Sequence, residues 1–248
     1  MKKFLIGLAG VATLAVPCSA IAGSSGYVGV SLGSWSDDAG DDATDVSVGG
    51  ALAADLTGRW RIQIDGEVSR LSEGGSSTTF QNLAAHVYTG DKGWAAGAVL
   101  KSEDLGISDI LFFGLEGQYW IGPVALEAEL GIGRSDYGPT DASTQNLSIG
   151  ATWYVTPNAS LGASYDYREI DFVDNEIDSL AIEGEYRFDA SQISLFGGYV
   201  FTTSENTFSS TDIDVWRIGA RFHFDTGTLQ DRRQEGPRWL LDTGRTAL

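Results

Sequence analysis

The chain has 248 residues, and its 34 acidic and 16 basic residues give a formal net charge of −18. This charge argues against nucleic acid as a partner, because phosphate backbones are bound by basic surfaces. Glycine is abundant at 32 residues, and Cys18 is the only cysteine, so the fold cannot depend on an internal disulfide.

The first 22 residues have the three parts of a secretory signal peptide. Lysines at positions 2 and 3 form the positive start, residues 4–16 are predominantly apolar, and Ala20-Ile21-Ala22 supplies the small residues of a cleavage site. The apolar stretch is too short for a helix that spans a bilayer. A proline directly precedes Cys18, where a lipoprotein site requires a small residue, so we expect cleavage after Ala22 and no lipid anchor.

Beyond residue 22, apolar and polar residues alternate with a period of two, which indicates strands whose two faces meet different surroundings. In the third segment one side carries Trp60, Ile62 and Ile64, whereas the other side is charged. No apolar run there is long enough for a transmembrane helix. The alternation predicts twelve strands, of which the first and fifth are weak enough to leave ten possible: 27–35, 46–56, 59–71, 80–89, 94–100, 110–121, 124–132, 147–155, 161–167, 180–188, 193–201 and 212–224.

The predicted connections alternate in length along the chain. Even-numbered strands are followed by tight turns, such as those at Gly58 and Pro123, and odd-numbered strands by longer polar segments. Short turns at one end and long loops at the other are typical of outer-membrane barrels. The longer segments are 36–45, 72–79, 101–109, 134–144, 171–178 and 203–211.

These features predict an all-β fold, a closed antiparallel up-and-down transmembrane β-barrel formed by residues 23–224. In lipid every backbone polar group needs a partner, so the strands must close into a ring with their apolar face towards lipid. A soluble exported barrel with an apolar interior is the alternative, although such barrels usually have eight strands. Aromatic residues near the strand ends fit an interfacial girdle: Trp60, Trp94, Tyr119, Trp153, Phe188, Phe222 and Phe224.

The predicted lumen carries charges of both signs, which need partners or water. They could interlock and plug a narrow barrel, or leave a hydrated path that they constrict. Twelve strands lie between filled barrels of about eight strands and open ones of about sixteen, so both outcomes stay open. Asp166 also faces inward, and the lumen and constriction candidates are Arg61, Asp65, Glu67, Glu116, Glu127, Glu129, Arg168, Glu183, Glu185, Arg187, Arg217 and Arg221.

The six longer segments together hold 16 acidic residues, five of them in 36–45. Acidic loops at a pore mouth raise the local cation concentration, which predicts a mild cation preference. The run DDAGDDATD lacks the ligand order of an EF-hand, so no dedicated metal site is expected.

Catalytic residue types are scarce. His86 and His223 are the only histidines, and neither belongs to a local His-x-Ser pair in a strand. With so few histidines and no cysteine beyond Cys18, a zinc site is not expected either. The sequence predicts no enzymatic activity and no cofactor.

The last strand, RIGARFHF, resembles the final strand of outer-membrane β-barrels of the porin-like superfamily. Arg217, Gly219, Phe222 and Phe224 fit the polar, glycine and hydrophobic positions of the assembly signal that these families carry there. The resemblance implies the bacterial outer membrane as location, outer-membrane lipid and the barrel assembly machinery as partners, and a passive channel as function.

In most of that family the terminal aromatic ends the chain, whereas here residues 225–248 follow as a predicted periplasmic tail whose apolar patch is Trp239-Leu240-Leu241. Two functions result from the sequence. The first is porin-like diffusion of small solutes or ions with a mild cation preference. The alternative is a plugged structural or interaction barrel whose acidic loops bind partners or divalent cations. The oligomeric state stays open.

Overall fold

The alternating segments form twelve strands and one short helix in the computed structural model. It describes residues 24–38, 40–106, 108–137, 140–171, 175–189, 191–206, 209–225 and 227–239, so the predicted signal peptide lies outside it. The strands are β1 (Ser25–Asp37), β2 (Asp42–Thr57), β3 (Trp60–Glu73), β4 (Ser76–Gly90), β5 (Trp94–Asp104), β6 (Asp109–Ile121), β7 (Val124–Tyr137), β8 (Thr140–Thr156), β9 (Ala159–Ile170), β10 (Asn175–Arg187), β11 (Ile193–Asn206) and β12 (Ser209–His223), followed by helix α1 (Leu229–Glu235).

Each strand pairs antiparallel with the next along the chain, and β1 pairs with β12 to close the ring. The closing register runs from Tyr27 opposite His223 to Asp37 opposite Ile213. Closure leaves no sheet edge and gives the backbone groups of every strand a partner, as a membrane-spanning sheet requires. The predicted barrel is confirmed with twelve strands rather than ten. In the described part of the chain, no helix is long and apolar enough to cross a membrane, a finding that concerns helices only.

The two faces of the barrel have opposite character. Large apolar side chains point outward and stay exposed, including Leu130 at 63% and Ile132 at 67%. Inward-pointing polar side chains are buried, as Asp65 is at 1% exposure. An apolar outside and a polar inside are the reverse of a soluble barrel, so that alternative is wrong. They are the arrangement of a barrel that spans a membrane.

The prediction of long outer loops is wrong, because the strands continue through most of those segments. β3 extends to Glu73 and β4 starts at Ser76, so only Gly74 and Gly75 form the turn, both with positive φ. The apolar alternation stops where the outer parts of the strands leave the hydrocarbon, but the hydrogen-bond ladder continues beyond it. The acidic residues of the outer segments therefore lie largely on β-hairpins.

The predicted aromatic girdle lies at one rim. Trp60 and Trp94 are the first residues of β3 and β5, and Trp153 lies near the end of β8. All three are exposed on the outside, at the end of the barrel that carries the shorter predicted turns and α1. An indole ring is favoured at a membrane–water interface, so the girdle marks one boundary of the membrane.

Candidate functional site in the barrel lumen

The structure places all the predicted lumen candidates on the inward faces of their strands. The buried candidates are Asp65, Glu67, Glu116, Arg168, Arg187 and Arg221. The other candidates are half-buried. Arg61 pairs with Asp55 at 2.7 Å and donates to the backbone carbonyl of Glu235 at the end of α1. Arg187 stabilises the turn between β10 and β11, because its Nε donates to the backbone carbonyl of Ser191 at 2.7 Å.

Several ion pairs connect strands that are not neighbours, and in one of them a glycine lies between the two charges. Arg217 on β12 pairs with Asp45 on β2 at 3.4 Å, across Gly33 on β1. Lys101 on β5 reaches Glu129 on β7 at 2.7 Å across β6. A side chain at Gly33 would place its Cβ 3.4 Å from the Cβ of Asp45, in the space that the pair occupies. Gly33 therefore lets charges two strands apart meet.

His86 is the centre of a buried polar cluster. Its Nδ1 lies 2.8 Å from a carboxylate oxygen of Glu116, and its Nε2 lies 3.0 Å from Asp65. Gln63 donates to the same Asp65 carboxylate at 2.8 Å. Glu116 is reached across β5, where a Cβ at Gly97 would lie 3.0 Å from its Oε1. Gln63 and His86 were not among the lumen candidates, although the period of two places both on the inward side of their strands.

Arg221 is the centre of a second cluster nearer the rim that carries α1. Its guanidinium lies 2.5 Å from Glu185 and 3.4 Å from Glu183, and only 4% of its side chain is exposed. The same group lies over the rings of Phe196, at 4.0 Å from the centroid, and Tyr27, at 5.4 Å. Two carboxylates and two aromatic faces thus hold one cation in place.

The strand register also places His223 beside Ser194, a pair that local sequence inspection missed because it joins β12 to β11. Ser194 Oγ lies 2.8 Å from His223 Nε2 and 2.5 Å from Glu185 Oε1. In a serine hydrolase the acid binds the other ring nitrogen and the hydroxyl is accessible. Here Glu185 approaches Nε2 itself, at 3.5 Å, and Ser194 is fully buried. These contacts join neighbouring strands of the barrel wall and differ from those of a catalytic triad.

One ion pair crosses the lumen. Arg168 on β9 binds Glu103 on β5 at 3.0 Å, four places away in the ring, and its guanidinium lies 4.9 Å from the ring centroid of Phe112. An ion pair in this position divides the lumen and narrows any path for solutes past it. Arg168 is one of the predicted constriction candidates, whereas Glu103 lies in the segment 101–109 that was expected to be an outer loop.

The outer part of the lumen is unexpectedly apolar. Trp35, Val200 and Val215 pack together on strands β1, β11 and β12. Leu105, Ile110 and Phe112 form a second cluster, and Ala142, Ile170 and Ile177 a third. The sequence predicted a polar inner face from the alternation in the middle of the strands. These clusters lie near the outer ends of the strands, so the prediction missed them.

The chain beyond β12 enters the barrel mouth. Residues 227–239, called the tail segment below, begin with α1, whose N-terminus is capped by Thr228 and Asp231 in a capping box. At the rim Lys92 Nζ lies 2.5 Å from Glu235, and this hydrogen bond raises the pKa of Lys92. A cavity of about 210 Å³ lies in the lumen, bordered by the tail segment and the charged wall.

Comparison with known proteins identifies the fold. No family model and no curated protein matches the chain. The NanC porin aligns with a TM-score of 0.60 over 78% of this chain and 98% of its own, at 7% identity. The COG4313 outer membrane channel from Pseudomonas putida F1 aligns with a TM-score of 0.57 over 81% and 94%, at 10% identity. The KdgM porin, solved in complex with disordered oligogalacturonate, gives 0.52 over 78% and 98%, at 9% identity.

At such low identity the likeness concerns the fold alone. It agrees with the closed ring, the exposed apolar outside and the charged inside described above. The chain therefore has the fold of outer-membrane β-barrel channels.

Proposed function

We propose that the chain is a channel of the bacterial outer membrane that allows passive diffusion of small hydrophilic solutes or ions. The observation that carries this proposal is the charged inward face, which surrounds a cavity of about 210 Å³ inside a closed barrel. Buried charges need partners or water, and the cavity beside them provides room for water. The porin fold of the structural neighbours supports the same function.

A preference for cations follows from the acidic outer rim. Asp38, Asp41 and Asp42 are exposed around the hairpin that joins β1 and β2, and acidic residues occur at the other outer hairpins as well. Their field raises the concentration of cations at the mouth and lowers that of anions. Asp45 does not contribute in the same way, because it is buried against Arg217.

Planar-bilayer recordings of the purified full chain test this function. We expect conductance steps whose reversal potential in a salt gradient indicates cations. Replacement of Asp37, Asp38, Asp41 and Asp42 by asparagine should move the reversal potential towards zero. The effect should fade at 1 M salt, where the screening length falls to about 3 Å. A folded barrel that stays silent, both as the natural chain and as the Arg233→Glu variant introduced below, would contradict the proposal.

The second candidate is a closed interaction barrel whose acidic hairpins bind partners or divalent cations. The cross-lumen pair of Arg168 and Glu103 and the packed outer clusters favour it, since both reduce the open path. No group of three metal-ligating side chains is found within the described ranges. A silent barrel whose melting temperature rises with millimolar calcium would support this candidate.

We also propose that the last strand is recognised by the barrel assembly machinery and that lipid covers the outer face. Phe224 packs against Phe222 with ring centroids 6.1 Å apart, and its N–H donates to Gly26 at 2.9 Å. We expect Phe224→Ala to lower the amount of assembled protein several-fold, measured by heat-modifiable migration. Phe188→Ala, at the same rim but outside the last strand, is the control, and an equal loss in both variants would contradict a specific signal.

A further inference from the structure

The tail segment is attached to the inner wall of the mouth at several points. Leu229 on α1 packs against Trp120 on β6 and against Ala125 and Tyr154 on the next two strands. Arg233, one turn further along the helix, places Nη2 2.5 and 2.6 Å from the two carboxylate oxygens of Glu127 on β7. Both contacts come from this one nitrogen and the arginine side chain is buried, so the ion pair fixes one face of α1 to the wall.

The residues after α1 reach deeper into the lumen. Gln63 on β3 donates to the carbonyl of Trp239 at 2.7 Å and accepts from the N–H of Arg238 at 2.8 Å. The indole of Trp239 stacks on His86, with centroids 5.6 Å apart and planes 12° apart, and meets the edge of Tyr88 at 4.6 Å. The segment thus extends from the rim to the buried charge cluster around His86.

The attachment is incomplete. Nε and Nη1 of Arg233, Nε of Arg238 and Nε1 of Trp239 are buried without a hydrogen-bond partner in the protein. Each such group reduces the net stability of the attached state, because it loses water and gains no partner. The short covalent connection to β12 keeps the segment close to its site whenever it leaves. Both features suit a contact that opens and closes again.

We propose that residues 227–239 form an intramolecular plug that closes the periplasmic mouth at rest and must leave its site for the channel to conduct. This inference rests on the proposed channel function. It assigns a role to the Arg233–Glu127 pair and to the hydrogen bonds that Gln63 makes with Arg238 and Trp239.

Charge reversal of the buried pair tests the plug in the full chain. Arg233→Glu faces Glu127 with a like charge, so we expect the open probability in planar bilayers to rise by about tenfold or more, because an uncompensated buried charge is costly. The double variant Arg233→Glu with Glu127→Arg restores an opposite pair and should return the open probability towards that of the natural chain. Lys92→Glu is the matched control, because it places a like charge opposite Glu235 in an exposed pair between the rim and the tail segment, and such pairs contribute little.

Trypsin cleavage after Arg238 gives a second readout that needs no conductance. Arg238 is buried in the natural chain, so we expect protection there, cleavage in Arg233→Glu and renewed protection in the double variant. Equal open probability in all the variants would overturn the plug and leave the channel standing. Silence in every variant, with each barrel folded by heat-modifiable migration, would overturn the channel and the plug together.

Discussion

Replacement of Arg221 by methionine is expected to lower the free energy of unfolding of the barrel by about 3–5 kcal/mol. Methionine keeps an apolar chain against the rings of Phe196 and Tyr27, so the main loss is the charge. Without it, the buried carboxylate of Glu185 loses its cation and stays beside the half-buried carboxylate of Glu183. Urea unfolding of the protein in lipid vesicles, followed by tryptophan fluorescence, measures the change.

A double-mutant cycle separates the pair from general damage to the wall. We expect Arg221→Met combined with Glu185→Gln to cost less than the sum of the two single variants, by about 0.5–3 kcal/mol. Additive costs would mean that the guanidinium and the carboxylate contribute independently and that the cluster is not a unit.

An arginine at Leu130 is expected to lower the free energy of unfolding by about 2–4 kcal/mol, since it puts a charge near the middle of the outward apolar band. Leu130 lies opposite Leu115 on β6 and Leu147 on β8, and all three side chains are exposed on the outside of the barrel. The same vesicle unfolding experiment measures this loss.

Gln145→Arg is the matched control for Leu130→Arg. Gln145 is an exposed residue on the outward side of β8, and its cross-strand neighbour on β9 is Glu169. The position already carries a polar side chain, so we expect a change below about 1 kcal/mol. Equal destabilisation at both positions would mean that the band around Leu130 is not in hydrocarbon.

The sequence was sufficient to predict the strands and their faces because each strand repeats one physical requirement. In β7, Leu126 and Leu130 alternate with Glu127 and Glu129, and this alternation alone determines which side chains point inward. The outer ends were harder, since a strand that has left the membrane no longer needs an apolar face. Segment 72–79 therefore has the composition of a loop and the hydrogen bonds of a hairpin.

The pairing inside the lumen could not be predicted from the sequence. Alternation placed Arg217 on an inward face, whereas Asp45 was assigned to the outer segment 36–45. The two residues are 172 positions apart and meet only because the ring closes and Gly33 leaves space between them. The same holds for Arg233 and Glu127, 106 residues apart. Trp239 was noted as part of the apolar patch of the tail, but nothing local to it indicates that it reaches His86. Leu240 and Leu241 of that patch lie outside the described residues.

In this barrel we expect hydrocarbon to contact the apolar outside and water to contact the charged inside. Single cysteines at positions 126–130 of β7, each carrying an environment-sensitive fluorophore, test it most directly, because Cys18 lies in the predicted signal peptide. We expect brominated lipid to quench the label at Leu126, Ala128 and Leu130, and not at Glu127 or Glu129. Lipid quenching at the two glutamate positions, or no alternation along β7, would contradict the account.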